Sequence, residues 1–379
     1  MSTPTGTRRQ RLRSLRIQDF RGIDALDLDL CDAEGQPLEL IVLAADNGGG
    51  KTAILEAILL ALGQRALLAE DAAPLAEQIR FGASSFEIAV GVRWERGADR
   101  RDFTATQKQT TRTPASSGRF VSLGPPDPAT GVATLTPLPG GWNWGDDLGD
   151  LPRVAYFSVR RAPEGLGETP DPRGAQSAKE SRRLVELKRR LVSAYYRGLR
   201  TARGSAALPA VFERIQRFWA TFAGSDTVLD VIPCSNDPGS GDEVVLRDAR
   251  SVPEDVTSLA QARLLAPSRE DIPKMVPLDR LSAGQMALFA FAGPLIFCDA
   301  PPDIVLIDEP EQHLHVQWQR QLMPALRALV PTAQWIVATH SEEVLDAALS
   351  YERFVLVDDG DPRLTAPPEG QPSQEKGAA

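Results

Sequence analysis

The sequence predicts an α/β protein that is organised around a parallel sheet with buried strands. Residues 38–43 form a run that is apolar except for Glu39 and leads into the glycine-rich string Ala45–Thr52, and helical spacing follows that string to Leu62. Residues 304–307 form a second apolar run, which ends in two acidic residues. Uninterrupted apolar strands are typical of sheets that are covered on both faces by helices.

Size and composition permit a large core. The 379 residues are 42% hydrophobic and 25% charged, with a formal net charge of -9, so bulk charge does not attract nucleic acid, although a local basic surface remains possible. Three widely spaced cysteines show no zinc pattern and fit a reducing compartment. The start of the chain lacks a signal peptide pattern, and the longest apolar run, 286–298, is too short for a membrane span. We therefore expect a cytoplasmic protein without a membrane segment.

Four parts are expected along the chain: an N-terminal lobe at 1–160, a helical insertion at 161–225, a C-terminal lobe at 226–365 and a disordered tail at 366–379. Residues 1–13 are expected to be loose. Alternation of apolar and polar residues, or short apolar runs, then predict strands in the N-terminal lobe. These predicted strands are 15–20, 25–30, 86–94 and 154–159.

The insertion is predicted to hold two helices. The first, 178–203, places Leu184, Leu187 and Leu191 on one stripe and carries many more Lys and Arg than Glu. Such a helix can bind DNA phosphates, but a solvated arm or a protein-docking helix explains the same pattern equally well. The second helix is predicted at 208–222.

The glycine-rich string predicts a phosphate-binding loop, because strand, glycine loop and helix follow one another as a P-loop requires. Its backbone N–H groups would surround phosphates, the lysine would reach the β- and γ-phosphates, and the threonine hydroxyl would ligate Mg²⁺. Ala45 stands where glycine is usual, so the loop requires a negative φ there. A simple turn before a helix is the weaker alternative. The predicted nucleotide-binding residues are Asn47, Gly48, Gly49, Gly50, Lys51 and Thr52.

Asp308 and Glu309 end the second apolar strand. An aspartate there can hold Mg²⁺ through water, which together with Thr52 makes the predicted metal site, and the glutamate can orient an attacking water as general base. An acidic surface turn is the alternative for any single strand end. The phosphate loop upstream makes the catalytic interpretation the stronger one.

Two further strings complete the pattern. In Leu281–Gln285, Ser282 is a favourable helix N-cap, and Ser282, Gly284 and Gln285 would meet the γ-phosphate of a nucleotide held by a second subunit. His340 follows a third apolar strand and is predicted to contact the γ-phosphate of its own subunit's nucleotide.

His313 and His315 lie close to Glu311 in the sequence. Two histidines without a convincing third ligand are weak evidence for a metal site. A structural role is therefore favoured for this pair.

These strings together resemble the ABC-type ATPases of the SMC/RecF/OLD group, which are often labelled AAA-family ATPases. The resemblance covers residues 14–95 and 275–360. It implies an ABC-ATPase head, which is a P-loop NTPase with an N-terminal antiparallel β-subdomain and an inserted helical arm. It also implies a homodimer in which two heads sandwich two ATP molecules with Mg²⁺. The strings that carry it are 15–23, 45–52, 281–285, 308–315 and 339–341.

The function implied by the resemblance is an ATP-driven conformational switch, with Glu309 and His340 as catalytic residues. Members of the group act in DNA repair, chromosome maintenance and phage defence. The insertion is too short for an SMC coiled coil, and the residues after Asp361 are too few for the Toprim nuclease domain of OLD proteins. We therefore expect any nuclease or toxin effector to be a separate chain.

Two alternatives are a transporter-type ATPase subunit and an ATP-binding scaffold that does not hydrolyse ATP. The string Glu311–His315 speaks against the transporter, which usually has Ser-Ala-Leu-Asp there, and the intact Glu309 speaks against the scaffold. The family's Q-loop glutamine is expected near the strand 154–159, which contains no Gln.

Overall fold

A computed structural model describes residues 8–45, 48–68, 74–110, 122–123, 133–136, 152–158, 185, 187–197, 210–224, 226–232, 243–248, 275–298 and 300–356. The strands are β1 (Arg8–Phe20), β2 (Ile23–Asp29), β3 (Leu40–Ala44), β4 (Ser85–Arg96), β5 (Asp99–Thr110), β6 (Ser122–Leu123), β7 (Ala133–Thr136), β8 (Val154–Phe157), β9 (Thr227–Ile232), β10 (Glu243–Asp248), β11 (Met275–Pro277), β12 (Ile304–Asp308), β13 (Gln334–Thr339) and β14 (Arg353–Val355). The helices are α1 (Lys51–Ala61), α2 (187–197), α3 (Ala210–Ala223), α4 (Ala283–Ile296), α5 (Val316–Leu329) and α6 (Glu342–Leu345).

A parallel sheet lies at the centre, with the strand order β14-β3-β13-β12-β8. Thr339 on β13 pairs with Ala44 on β3, and Asp308 on β12 pairs with Ala338 on β13. The carboxyl ends of these three strands therefore meet at one edge, where ligands bind in open α/β sheets. The predicted α/β architecture is confirmed.

The parallel sheet separates two hydrophobic cores, because successive side chains on a strand point to opposite faces. One face packs against α2, α3, α4 and α5, and we call this the helix-side core. The other face packs against α1 and the N-terminal sheet, and we call this the sheet-side core. The strand residues in the helix-side core are Leu40, Val42, Val305, Ile307, Trp335 and Val337. Those in the sheet-side core are Ile41, Leu43, Ile304, Leu306, Ile336 and Ala338.

The N-terminal sheet has the order β2-β1-β4-β5-β7-β6, and its long ladders β2-β1-β4-β5 are antiparallel. The predicted antiparallel β-subdomain is thus confirmed. The expectation that residues 1–13 are loose is wrong from Arg8 onward, because β1 begins there and pairs with β4. Gln10 and Leu12 are buried on one face of this arginine-rich strand.

The described parts of the insertion pack onto the head. Leu187 and Tyr195 of α2 are buried in the helix-side core, and the Trp219 ring of α3 stacks on Phe289 of α4 at a centroid distance of 5.1 Å. The flanks of the predicted helix 178–203 and the tail 366–379 lie outside the described residues. The boundaries of the four parts stay predictions. Across the described ranges, no helix has the length and apolar character that crossing a membrane requires.

Candidate nucleotide site

The predicted phosphate loop lies between β3 and α1. Gly48 and Gly50 have φ values of 84° and 77°, a left-handed conformation that glycine adopts without steric cost. Ala45 is not among the described non-glycine residues with positive φ, so the condition for replacing glycine there is met. Asn47, which was predicted to bind nucleotide, lies outside the described residues.

Lys51 is the first residue of α1, and its side chain is buried at the loop. Its Nζ donates a hydrogen bond to the carbonyl oxygen of Ala45 at 2.7 Å. The ammonium group therefore lies at the start of the glycine-rich string, and its contact with phosphate oxygens stays a prediction.

The two predicted magnesium ligands meet in the structure. Thr52 Oγ1 donates a hydrogen bond to Asp308 Oδ2 at 2.7 Å, although the two residues are 256 positions apart in the sequence. Asp308 is fully buried at the end of β12. A hydroxyl and a carboxylate are oxygen donors that suit Mg²⁺, which normally completes its coordination with water and substrate phosphates. The donor set therefore fits a magnesium–nucleotide complex.

The described residues contain no group of three or more His, Cys, Asp or Glu side chains that could hold a metal ion by themselves. His315 instead caps α5, where its Nδ1 accepts from the N–H of Gln317 at 3.4 Å. The structural role that the sequence favours for the His313–His315 pair agrees with these contacts.

Glu309 follows β12 in an unusual backbone conformation. Its φ is 45°, which is left-handed for a residue with a Cβ and costs on the order of 1–3 kcal/mol. Its N–H donates to the carbonyl oxygen of Ala338 at 2.8 Å, and its Oε2 accepts from Gln312 Nε2 at 2.6 Å. The predicted base is thus held both by its backbone and by its carboxylate.

His340 follows β13 and lies beside two carboxylates. Its Nδ1 is 3.0 Å from Glu311 Oε1 and 3.9 Å from Glu309 Oε1. Its N–H also donates to Glu311 Oε1 at 2.9 Å. The sequence did not predict this contact between Glu311 and His340. No local pattern signals it, since the contact depends on the turn between β12 and α5.

The predicted signature string begins α4. Ser282 and Gln285 form a capping box: the Ser282 N–H donates to Gln285 Oε1 at 3.0 Å, and the Gln285 N–H donates to Ser282 Oγ at 3.4 Å. Gly284 is buried, and a Cβ on it would lie 2.6 Å from the carbonyl oxygen of His313. Packing within its own chain therefore explains why glycine occupies position 284. The nucleotide contacts of Ser282, Gly284 and Gln285 stay predictions.

The structure brings the predicted residues together in two groups. Lys51, Thr52, Asp308, Glu309 and His340 lie at the carboxyl edge of the parallel sheet. The signature string lies at the N-terminus of α4 and contacts the turn after β12. For the Q-loop, β8 borders β12 as its neighbour in the sheet, and the chain beyond 158 lies outside the described residues.

Two segments of the chain match models of protein families. Residues 14–115, which contain the phosphate loop, match "AAA domain". Residues 251–346, which contain the signature string, Asp308, Glu309 and His340, match "AAA domain, putative AbiEii toxin, Type IV TA system". Both segments that carry the predicted motifs are thus similar to AAA-family domains. The resemblance to the SMC/RecF/OLD group is thereby confirmed.

Similar proteins match short segments of the chain. The "Septu protein PtuA" of Bacillus thuringiensis is 40% identical over 58 residues, which are 15% of each chain. The "Arginine transport ATP-binding protein ArtM" of Bacillus subtilis (strain 168) is 32% identical over 100 residues, 25% of this chain and 38% of the relative. The "Retron Vc95 probable ATPase" of Vibrio cholerae is 40% identical over 61 residues, 16% of this chain and 12% of the relative. The matches thus span well under two thirds of these relatives.

Among solved structures, an SMC head bound to the C-winged helix domain of ScpA is 14% identical. The match covers 89% of this chain and 92% of that chain, with a TM-score of 0.47.

Proposed function

We propose that the protein binds and hydrolyses ATP with Mg²⁺ in the cytoplasm and works as a head-to-head dimer. In this proposal ATP binding closes the dimer, hydrolysis opens it, and a separately encoded nuclease or toxin responds to the state of the dimer. The observation that carries the proposal is the hydrogen bond between Thr52 and Asp308 beside the phosphate loop. It joins two distant motifs into one site whose donor set suits magnesium–ATP.

The chemistry follows from the chain's own residues. The glycine loop and Lys51 would bind the phosphate oxygens, and Thr52 and Asp308 would hold Mg²⁺, which neutralises and orients the phosphates when bound. Glu309 would accept a proton from a water molecule as that water attacks the γ-phosphorus and the bond to ADP breaks. His340 would contact the γ-phosphate.

The dimer is supported by the exposed end of α4. Ser282 and Ala283 are exposed at the N-terminus of this helix, where the backbone N–H groups and the helix dipole favour an anion. The γ-phosphate held by a second copy of the head is such an anion. ATP would therefore act as the link between two heads.

We place this switch in phage defence, with DNA repair or maintenance as the alternative role. The similarities to Septu protein PtuA and to a retron ATPase support the defence role. A DNA contact through the basic helix 178–203 remains part of the proposal. In the described part of that helix, Arg189 and Arg190 are exposed, and Arg190 also donates to the carbonyl oxygen of Phe297 at 2.8 Å.

A transporter-type ATPase subunit is the second candidate, because ArtM matches 25% of the chain. The turn after β12 argues against a transporter subunit. In this turn Gln312 contacts Glu309 and Glu311 contacts His340, the two predicted catalytic residues. The candidates differ in their partner: a transporter subunit would co-purify with membrane proteins at native expression levels, whereas a defence switch would co-purify with its effector or with DNA.

The hydrolysis test uses the purified protein, a Glu309→Gln variant and a Glu342→Gln variant as matched control. Glu342 is exposed, so the control removes a nearby carboxylate outside the site. We expect the wild type and the control to release phosphate at similar rates and Glu309→Gln to be slower by about 10²-fold or more. Equal rates for all three proteins would contradict the role of Glu309 as general base.

A further inference from the structure

The turn between β12 and α5 holds His340 through a single buried carboxylate. We propose that Glu311 is a positioning residue for ATP hydrolysis, which fixes the ring orientation and the tautomer of His340 so that Nε2 is the nitrogen that meets the γ-phosphate. This inference rests on the proposed ATPase function and names a residue that the sequence motifs leave without a role.

Two contacts of Glu311 Oε1 define the position of His340. The backbone N–H donates to Oε1 at 2.9 Å, which fixes the chain at the end of β13. The ring Nδ1 lies 3.0 Å from the same oxygen. A carboxylate oxygen and an imidazole nitrogen without a proton are both hydrogen-bond acceptors, so a separation of 3.0 Å favours a proton on Nδ1. The contact at one ring nitrogen thus influences what the other nitrogen can do.

Burial makes this carboxylate different from a surface partner. The side chain of Glu311 is 5% exposed, whereas that of His340 is 47% exposed. The ring is therefore fixed at its Nδ1 edge and remains accessible elsewhere. Among the described residues, Glu311 Oε2 is buried without a hydrogen-bond partner, which is costly for a carboxylate oxygen. A surface cap for the turn would not need such a placement.

Glu311 and Glu309 have separate tasks in this arrangement. Glu309 Oε1 is 3.9 Å from His340 Nδ1, beyond hydrogen-bond distance, and Glu309 Oε2 is held by Gln312. Glu311 Oε1 accepts from the backbone N–H of His340 and also lies 3.0 Å from its ring Nδ1. Glu311 is thus the carboxylate within hydrogen-bond distance of His340, and it would act through the histidine, whereas Glu309 keeps its proposed role as the base.

A purely structural role for Glu311 is the competing explanation, because the backbone contact alone would hold the turn. A double-mutant cycle separates the two explanations. Glu311→Gln keeps the size of the side chain and removes its charge, and His340→Ala removes the group through which Glu311 acts. We expect Glu311→Gln to lower kcat by about 10-fold or more with little change in KM, as is common for residues that orient a catalytic group.

In the His340→Ala background, Glu311→Gln should have no further effect on kcat. Glu343→Gln is the matched control, because Glu343 Oε2 accepts from Ser341 Oγ at 3.2 Å, next to His340 in the sequence. This control should hydrolyse ATP like the wild type. Losses that multiply in the double variant would overturn the proposal and favour a structural role.

A direct readout of the tautomer is nitrogen NMR of the histidine rings, which is practical because the chain has three histidines. In the protein without ATP we expect His340 to carry a proton on Nδ1, and we expect that preference to weaken in Glu311→Gln. An unprotonated Nδ1 in the wild type would overturn the proposal. This measurement does not require turnover, so an inactive wild type with the expected tautomer would contradict the ATPase function and leave the Glu311–His340 contact established.

Discussion

The two faces of the parallel sheet are built differently. The sheet-side core is closed by long strand ladders and by α1, which follows β3 directly in the chain. The helix-side core is closed by α3, α4 and α5, which come from separate parts of the chain and meet through side chains such as Trp219, Phe289 and Trp318. Backbone pairing of β3 therefore fixes the start of the phosphate loop, whereas the helix that carries the signature string is held against the sheet by side-chain packing.

One turn connects the two faces. At its start, Glu309 and Glu311 belong to the nucleotide edge, and at its end the carbonyl oxygen of His313 packs against Gly284 of α4. His313 has a φ of 65°, so the turn contains two left-handed residues with side chains. We expect substitutions that disturb the packing of the helix-side core to abolish ATP hydrolysis, while ATP binding at the phosphate loop persists.

The largest effect is expected from Trp219→Ala. Trp219 is 1% exposed, and its removal leaves a cavity against Phe289, so the free energy of unfolding should fall by about 3–5 kcal/mol. Urea denaturation measures this loss, and Trp219→Phe is a milder control. Where the variant is folded, ATP affinity should stay close to that of the wild type while hydrolysis is lost. A loss of ATP affinity as large as the loss of hydrolysis would show that the two faces are not separable.

An intermediate effect is expected from Gly284→Ala. The added Cβ would meet a backbone oxygen at 2.6 Å, and overpacking of this kind costs about 1–3 kcal/mol. We expect slower hydrolysis with unchanged ATP affinity, measured by phosphate release and by nucleotide titration. Gly22→Ala is the matched control on the sheet side, because nothing lies within 4 Å of its added Cβ. Equal effects of the two variants would contradict the coupling through His313.

The smallest effect is expected in the N-terminal sheet, at Asp102. Burial by itself would raise the pKa of this carboxyl, but the hydrogen bond from Arg93 and the charges of Arg13 and Arg93 outweigh it and hold the pKa below its usual range. Because the pKa is lower in the folded state, the stabilisation is complete above the unfolded pKa of about 4 and is lost as pH falls through the folded pKa.

Asp102→Asn should therefore lower the free energy of unfolding at pH 7 by at most about 1 kcal/mol, since partly exposed ion pairs contribute little. Urea midpoints of wild type and variant, measured in steps from pH 7 downward, should converge below about pH 4. ATP hydrolysis at pH 7 should be unaffected. A difference in midpoint that stays constant with pH would contradict the ionic explanation.

Much of the fold and of the site could be predicted from the sequence where motif and strand are contiguous. The apolar runs predict strands that end just before Glu309 and His340 and just before the glycine-rich loop that leads to Lys51. Parallel pairing of these strands then brings the three residues to one edge of the sheet. The second insertion helix was predicted at 208–222 and is observed at Ala210–Ala223.

Other features have no local signal. The strand from Arg8 was missed because its outward arginines resemble a loose basic start, although they pair with acidic residues such as Glu39 and Asp102. Gln334 is fully buried and joins the parallel sheet to the N-terminal sheet through two hydrogen bonds with the backbone of Leu12, and it also donates to the carbonyl oxygen of Leu38. No periodicity indicates these bonds. The Glu311–His340 contact likewise depends on a turn with left-handed residues at Glu309 and His313. Neither residue type predicts that conformation.

The most direct test of the account is the mass of the Glu309→Gln variant in solution, measured by light scattering with and without Mg²⁺ and ATP. Without nucleotide we expect a monomer of 41.1 kDa, and with ATP we expect twice that mass, because the unhydrolysed nucleotide would join the phosphate loop of one head to Ser282 of the other. Adding Ser282→Arg to the same variant should prevent the dimer while ATP remains bound. A saturated, ATP-bound protein that stays monomeric would contradict the central claim that ATP is shared between two heads.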